Sequence, residues 1–329
     1  MQIVQNRRSF LGGLSASGAT SLFGGVSFAA EAPPETPIVR LAAVPGACTA
    51  PLYLAEELLH EEGFAEVRYV PSTGPSMVSE DKVDFDMLAA VDYLPLIDAG
   101  MPLIVLSGVH VGCFELRANE SIQVVSDLRG KRVAVSTPLG ISADHLLVSA
   151  MAAYVGLDPV TEIEWVTNPS LSQVELFDAG RVDAFIGFPP DPQQSCARST
   201  GHPVVNMAND KPWSNYFCCM AIANTEFVRN NPVATKRALR AIMRATDICH
   251  KQPELAAQRM VDVGFSQDCA LMTLNDARYD LWRDYDPEDT VRFFSLLLHQ
   301  LAMIRKTPNE IISEFTDWRF LEEVKRELA

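Results

Sequence analysis

From residue 38 onward, short β-branched runs alternate with amphipathic stretches, the patterning of a layered α/β protein. Residues 38–44 form the first predicted strand, which Pro45-Gly46 breaks. Residues 52–62 read as a helix with Leu54, Leu58 and Leu59 on one face. After a strand over 67–70, Ser72-Thr73-Gly74-Pro75-Ser76 predicts the N-cap and proline-bearing first turn of a second helix. A third strand spans 83–88, a helix 93–99 ends at Gly100, and a fourth strand covers 103–109.

The order then restarts. A strand over 131–136 leads to a helix over 142–155 closed by Gly156, then a strand over 162–166. A helix over 172–179 closed by Gly180 and a strand over 182–187 follow. Both passes reach a Val-Asp strand, Val83-Asp84-Phe85-Asp86 and Val182-Asp183-Ala184-Phe185, after about 45 and about 51 residues. The shared grammar predicts two similar α/β lobes. The last third holds one strand, 217–223, and then helical stretches over 232–250, 254–263, 279–285, 287–301 and 308–328. With no fresh strands to build a third lobe, this tail is expected to pack on the first.

Composition narrows the function. The 329 residues carry 27 Lys and Arg against 42 Asp and Glu, a formal charge of −15. That balance lacks the concentrated basic surface a nucleic acid requires. No apolar run reaches the ~18 residues of a membrane span. The N-terminus has the layout of an export signal: Asn6-Arg7-Arg8-Ser9-Phe10-Leu11, a mildly apolar segment from Gly12 to Val26, and small residues at Ser27-Phe28-Ala29-Ala30. Its paired arginines resemble the twin-arginine (Tat) signal, with Asn6 and Gly12 departing from the pattern. Cleavage is expected between Ala29 and Ala32, and no Cys stands there to take a lipid. Residues 1–30 hold two Arg and no acid, so the mature charge becomes −17. The expected location is the periplasm, and residues 31–37 form an extended leader.

Several ordered segments carry a family likeness. They are Ala50-Pro51-Leu52-Tyr53-Leu54-Ala55-Glu56 with Glu62-Gly63-Phe64, Lys82-Val83-Asp84-Phe85, and Ala99-Gly100-Met101-Pro102. Further along come Ser126-Asp127-Leu128-Arg129-Gly130-Lys131-Arg132-Val133-Ala134-Val135, Ala179-Gly180-Arg181-Val182-Asp183-Ala184, and Glu226-Phe227-Val228-Arg229-Asn230-Asn231-Pro232. The chain resembles the ABC-transporter substrate-binding proteins of the nitrate/sulfonate/bicarbonate (SsuA/THI5-like, NMT1-like) group. The resemblance implies the type II periplasmic-binding-protein fold, two α/β lobes joined by a two-crossing hinge with a helical C-terminal tail. Lobe 1 would comprise 38–112 plus 222–329 and lobe 2 122–216, with crossings at 113–121 and 217–221. It also implies a monomer that captures a small-molecule solute between the lobes and delivers it to an ABC permease and ATPase. No cofactor, metal or catalytic residue is assigned.

In open α/β sheets ligands sit beyond the carboxyl ends of the strands. Those ends nominate Cys48 and Thr49; Ser72, Thr73 and Gly74; Asp92 and Tyr93; Ser136, Gly140, Ile141 and Ser142; and Phe188. Cys113 and Tyr216 join them from the crossings. Ser72–Gly74 and Ser142 precede predicted helices, whose free amides suit an anion. Asp92 would instead repel an anion and favour an amine or a pyrimidine nitrogen. A carboxylate, a sulfonate and a pyrimidine or aromatic solute therefore all stay open, with Tyr93, Phe114, Phe188, Trp213 and Tyr216 available to stack.

The seven cysteines are the distinctive feature. Gly112-Cys113-Phe114-Glu115 and Tyr216-Phe217-Cys218-Cys219-Met220 fall at the two crossings the resemblance implies. Three readings stand side by side: buried inert thiols, a disulfide from Cys113 to Cys218 or Cys219, and a soft-metal site with His110. Two other functions also remain. THI5-like enzymes use pyridoxal phosphate on a Lys and a Cys-rich motif, of which this chain has only Cys218-Cys219, and Lys82 belongs to a strand turn. A periplasmic sensor would show its closed state to a signalling partner instead of a permease.

Overall fold

The computed structural model describes residues 31–44, 46–136, 140, 142–187 and 200–329. The chain divides at residue 32, and the unit Pro33–Ala329 carries both sheets. The expected export signal, Ile141 and Phe188 lie outside the described residues.

The chain runs through β1 (Ile38–Ala43), α1 (Ala50–Glu61), β2 (Glu66–Pro71), β3 (Phe85–Ala89), α2 (Ala90–Asp98) and β4 (Leu103–His110). It crosses over to β5 (Glu115–Ala118), β6 (Arg132–Ala134), α3 (Ala143–Tyr154), β7 (Glu164–Val166), α4 (Gln173–Asp178), β8 (Ala184–Gly187) and β9 (His202–Asn206). It returns as β10 (Cys219–Asn224) and finishes in helices α5 (Thr225–Asn230), α6 (Pro232–Lys251), α7 (Pro253–Asp262), α8 (Gln267–Asp276), α9 (Pro287–Gln300), α10 (Pro308–Phe315) and α11 (Arg319–Glu327).

Two five-stranded sheets result, ordered β2-β1-β3-β10-β4 and β7-β6-β8-β5-β9. They share one plan. Four strands of each run in one direction, and the strand delivered by the crossing chain, β10 or β5, lies antiparallel between its neighbours. Each lobe is therefore completed by a strand that arrives from the other.

The repeated Val-Asp dipeptide has a structural cause. Asp84 donates its backbone N–H to the Arg40 carbonyl at 2.8 Å, while its carboxylate accepts from the Arg40 backbone N–H at 2.7 Å. The same carboxylate accepts from Arg40 Nε and a terminal guanidinium nitrogen at 3.1 and 2.6 Å. Asp183 repeats this on Arg132: 2.7 Å from its N–H to the carbonyl, 3.0 Å from the Arg132 backbone N–H to its carboxylate, and guanidinium bonds at 3.0 and 2.9 Å. One side chain thus substitutes for a missing rung between two parallel strands, in both lobes.

The helices follow their local signals. Proline occupies the first turns of α1, α6, α7, α9 and α10. Ser172 with Glu175 and Thr307 with Glu310 form capping boxes at α4 and α10. Along α6, Ala234, Ala238, Leu239, Ala241, Ile242, Ala245 and Cys249 recur at helical spacing and are buried, and this face packs on α1. At α5, the Asn224 carbonyl oxygen accepts from Glu226 and Phe227 N–H, and its amide donates to the buried Val78 carbonyl at 2.8 Å. Asn224→Ala is expected to lower stability by about 2 kcal/mol, as a shifted urea midpoint at constant m value.

Four expectations change. Residues 75–80 wind as hydrogen-bonded turns and not as a continuing helix: the Glu80 N–H reaches the Ser76 carbonyl at 2.9 Å, but Asp81 takes φ 55° and ends the winding there. The helix expected over 93–99 begins earlier, at Ala90, directly after β3. The stretch 308–328 is two helices, because Thr316 bridges to Val105 and the Asp317 N–H bonds the Val105 carbonyl at 3.0 Å. Within the segment expected to cross at 113–121, Glu115–Ala118 is strand, paired on both sides by β8 and β9.

Candidate functional site

The crossings and the strand ends bring five chain segments together. Cys48 lies in the short 3₁₀ turn Ala47–Thr49 that follows β1, and His110 is the last residue of β4. Cys113 follows three residues later, Cys218 immediately precedes β10 and Cys219 opens it. Strand pairing sets Cys219 opposite both His110 and Ala89. The Cys218 N–H donates to the His110 carbonyl at 2.8 Å, and the Cys218 carbonyl accepts from Ala90 N–H at 3.0 Å. Gly112, at φ 94°, passes so close to Ala208 that a Cβ there would stand 2.6 Å from the Ala208 Cβ. Cys113 itself takes φ 80°, a left-handed conformation that costs free energy in any residue but glycine.

The donor atoms of Cys48, His110, Cys113 and Cys219 all lie within 4.8 Å of one another. Cys113 Sγ stands 2.9 Å from Cys218 Sγ, and all of these cysteines are free thiols. Hydrogen bonds from Cys113, Cys218 and Cys48 hold the Cys219 thiol well below its usual range despite its burial. Burial pushes Cys113 and Cys218 up. The ring of His110 packs 5.0 Å from that of Tyr279, whose hydroxyl donates to the Cys48 carbonyl at 2.8 Å. His110 is fully buried, and neither ring nitrogen has a hydrogen-bond partner.

Two carboxyls border this cluster. Asp86 is fully buried in β3; one oxygen accepts from Met87 N–H at 2.7 Å and the other has no partner. Burial raises its pKa well above the carboxylate range. Asp92, half-buried in the first turn of α2, is pushed up to about 7 by burial and by the charge of Cys219. Helix α2 packs on α3, and Asp144 in the first turn of α3 also repels the Asp92 charge. Asp144 accepts from Ser136 N–H at 2.6 Å, from its neighbour His145 N–H at 2.7 Å, and from the Gln173 amide.

The nominated residues divide into groups. Cys48, Cys113 and Asp92 come to the meeting point of the lobes. Thr49 is buried, with its hydroxyl on the Gly46 carbonyl at 2.6 Å. Tyr93 is fully buried and donates to Met220 Sδ at 2.9 Å, so its ring belongs to the core. Ser72, Thr73 and Gly74 follow β2: Ser72 N–H bonds the Ala43 carbonyl, Gly74 N–H bonds Ser72 Oγ, and no helix follows. Ser142 precedes α3, but its hydroxyl bonds the Ser136 carbonyl at 3.2 Å instead of capping the helix. Gly140 N–H donates to His145 Nδ1 at 3.1 Å. Tyr216 stacks on Phe293 with ring centroids 3.9 Å apart, inside an aromatic cluster with Trp213, Tyr154 and Phe294. Asp86 and Asp144 escaped the sequence reading. An acid inside the apolar run Phe85–Ala89 and an acid directly after a predicted N-cap were the available signals.

A groove of about 560 Å³ opens beside the ends of β1 and β2, lined by Ala43, Tyr53, Glu56, Tyr69, Arg259 and Phe265 among others. It contains only first-lobe residues; Glu56 and Asp262 pair with Arg259, and the Tyr53 and Tyr69 hydroxyls donate to the Val44 and Leu52 carbonyls. The convergence at the crossings is therefore the stronger candidate.

Residues 49–256 match the NMT1/THI5 like family. The chain belongs to this family. Similar chains include the yeast 4-amino-5-hydroxymethyl-2-methylpyrimidine phosphate synthase THI13 of Saccharomyces cerevisiae, 23% identical over 232 residues. That match covers 64% of this chain and 66% of the yeast protein, just under two thirds of its length. Among solved structures, the periplasmic nitrate-binding protein NrtA from Synechocystis PCC 6803 superposes with a TM-score of 0.73 at 14% identity, covering 90% of both chains. The alkanesulfonate-binding protein SsuA from Xanthomonas axonopodis pv. citri, bound to MOPS, gives 0.64 at 16% identity, covering 83% of this chain and 96% of that one. These likenesses establish the periplasmic-binding-protein fold.

Proposed function

We propose that this family member is the solute-capture subunit of an ABC importer and takes a neutral or cationic small organic molecule of the aminopyrimidine type. In this reading residues 1–30 are a Tat export signal, and the mature monomer works in the periplasm without turning its solute over. The disulfide at Cys269 suits that oxidising compartment. The fold is shared with nitrate and alkanesulfonate receptors, but the polar groups here favour the opposite charge. The observation that carries this choice is the pair of acids where α2 meets α3. Asp144 already supplies the negative group at the N-terminus of α3, and Asp92 faces it from the first lobe. The other helix N-terminus expected to receive an anion, after Ser72–Gly74, does not form.

Thermal unfolding with added nitrate, an alkanesulfonate or 4-amino-5-hydroxymethyl-2-methylpyrimidine tests the proposal. A ligand at about 100 times its Kd adds about 2.7 kcal/mol, enough to raise Tm by several degrees. The pyrimidine is expected to do so and the oxyanions are not; the reverse result overturns the charge assignment. Asp92→Asn is expected to weaken capture of the pyrimidine by about tenfold, the scale of one charge-assisted hydrogen bond, as read by calorimetry.

A further inference from the structure

We propose that Cys48, His110, Cys113 and Cys219 form a binding site for one thiophilic d¹⁰ cation, Zn(II) or Cu(I), seated where the two crossings meet the first lobe. The proposal goes beyond solute capture and does not depend on it. Among the described residues, this is the grouping of His, Cys, Asp and Glu side chains whose donor atoms converge closely enough for an ion. In a tetrahedral zinc site with Zn–S about 2.3 Å and Zn–N about 2.0 Å, neighbouring donor atoms stand about 3.4–3.8 Å apart. The four donors here, all within 4.8 Å of one another, need to contract by at most about 1.0–1.4 Å.

Two independent features point to a ligand. His110 is fully buried with both ring nitrogens unpaired, although a neutral imidazole presents one donor and one acceptor. Such a residue is rare unless something absent from the protein itself completes it. Cys113 is held at φ 80°, a strained conformation that persists where the surroundings require the side chain in one place. Cys218, 2.9 Å from the Cys113 sulfur, supplies an outer hydrogen bond of the kind that orients a metal ligand. Three sulfurs and an imidazole select soft or borderline ions over Mg²⁺ and Ca²⁺, which take oxygen ligands. Binding would release protons from the thiols and tie the turn after β1, the end of β4, the first crossing and the start of β10 to one centre.

The test uses the chain purified under reducing conditions and stripped with a chelator. Zn(II), and separately Cu(I), is titrated against a chromophoric competitor, and Co(II) serves as a spectroscopic stand-in. One ion per chain is expected, with a sulfur-to-cobalt charge-transfer band. The ion held in protein isolated without stripping distinguishes zinc from copper. Cys219→Ser is expected to weaken binding by about 100-fold or more, beyond the loss of an outer partner. Cys249→Ser, which removes a buried thiol outside the cluster, is expected to leave binding unchanged. Should Cys219→Ser fail to fold, His110→Gln provides the same reading. Sub-stoichiometric binding of both metals, equal affinity in the ligand variants, or a Cys113–Cys218 disulfide found by peptide mapping of protein isolated without reductant would overturn the proposal.

Discussion

Asp84→Ala is expected to cost about 3 kcal/mol of stability, a large share of a domain's total. Its side chain is 4% exposed and accepts three hydrogen bonds from Arg40, one of them from the backbone of β1. Removing the carboxylate leaves a strand N–H without its rung and a guanidinium with only Asp81 as carboxylate partner. The corresponding change in the second lobe, Asp183→Ala, is expected to cost about 1–2 kcal/mol, because Arg132 and Asp183 are more exposed and water offsets more of the loss. Urea unfolding of both variants gives the comparison, and equal costs would remove the burial explanation. Asp183 also carries a pH signature: its bond to Arg132 lowers its pKa below the unfolded value. Its contribution is therefore fully present above about pH 4 and is lost as pH falls through the folded value. The Asp183→Ala penalty should shrink correspondingly in acid.

Gly108→Ala is expected to destabilise by about 3 kcal/mol or more, at the upper end for overpacking. A Cβ at this β4 position would stand 2.2 Å from Cδ2 of Phe217, whose ring is fully buried beside Tyr285. Phe217 cannot easily withdraw, because its N–H is held by the Thr290 hydroxyl at 2.9 Å. The clash thus falls on the return crossing just before Cys218 and Cys219. Thermal melts of Gly108→Ala, Phe217→Leu and the double variant form the check. The double variant should recover stability relative to the sum of the singles, and strict additivity would show that the ring is not the obstacle.

Local signals reached far into this fold. The alternating strands and helices, the proline-marked helix starts and the Val-Asp repeat all rest on interactions within a few residues or on simple periodicity. The likeness to solute receptors placed Cys113 and Cys218-Cys219 at crossings. The same local reasoning failed where a distant partner decides. Glu115–Ala118 is a short, polar-alternating segment that becomes a strand only because β8 and β9 lie on either side. Tyr93 was nominated for the cleft, yet the early start of α2 at Ala90 turns it into the core against Met220, 127 residues away. Neither expected anion-binding helix N-terminus stands as foreseen: after Ser72–Gly74 no helix forms, and at α3 Asp144 already accepts from the Ser136 and His145 N–H groups.

The amino-acid sequence by itself determined the α/β order, the two-lobe duplication and the family likeness, because hydrophobic period, caps and turn residues act over short spans. Only the tertiary structure decided which side chains share a site. Cys48 and His110 are separated from Cys219 by more than a hundred residues, and strand pairing across β4 and β10 closes that distance. The pairing of acids at α2 and α3 was decided in the same way. Asp92 and Asp144 belong to different lobes, and their mutual repulsion exists only once α2 lies against α3.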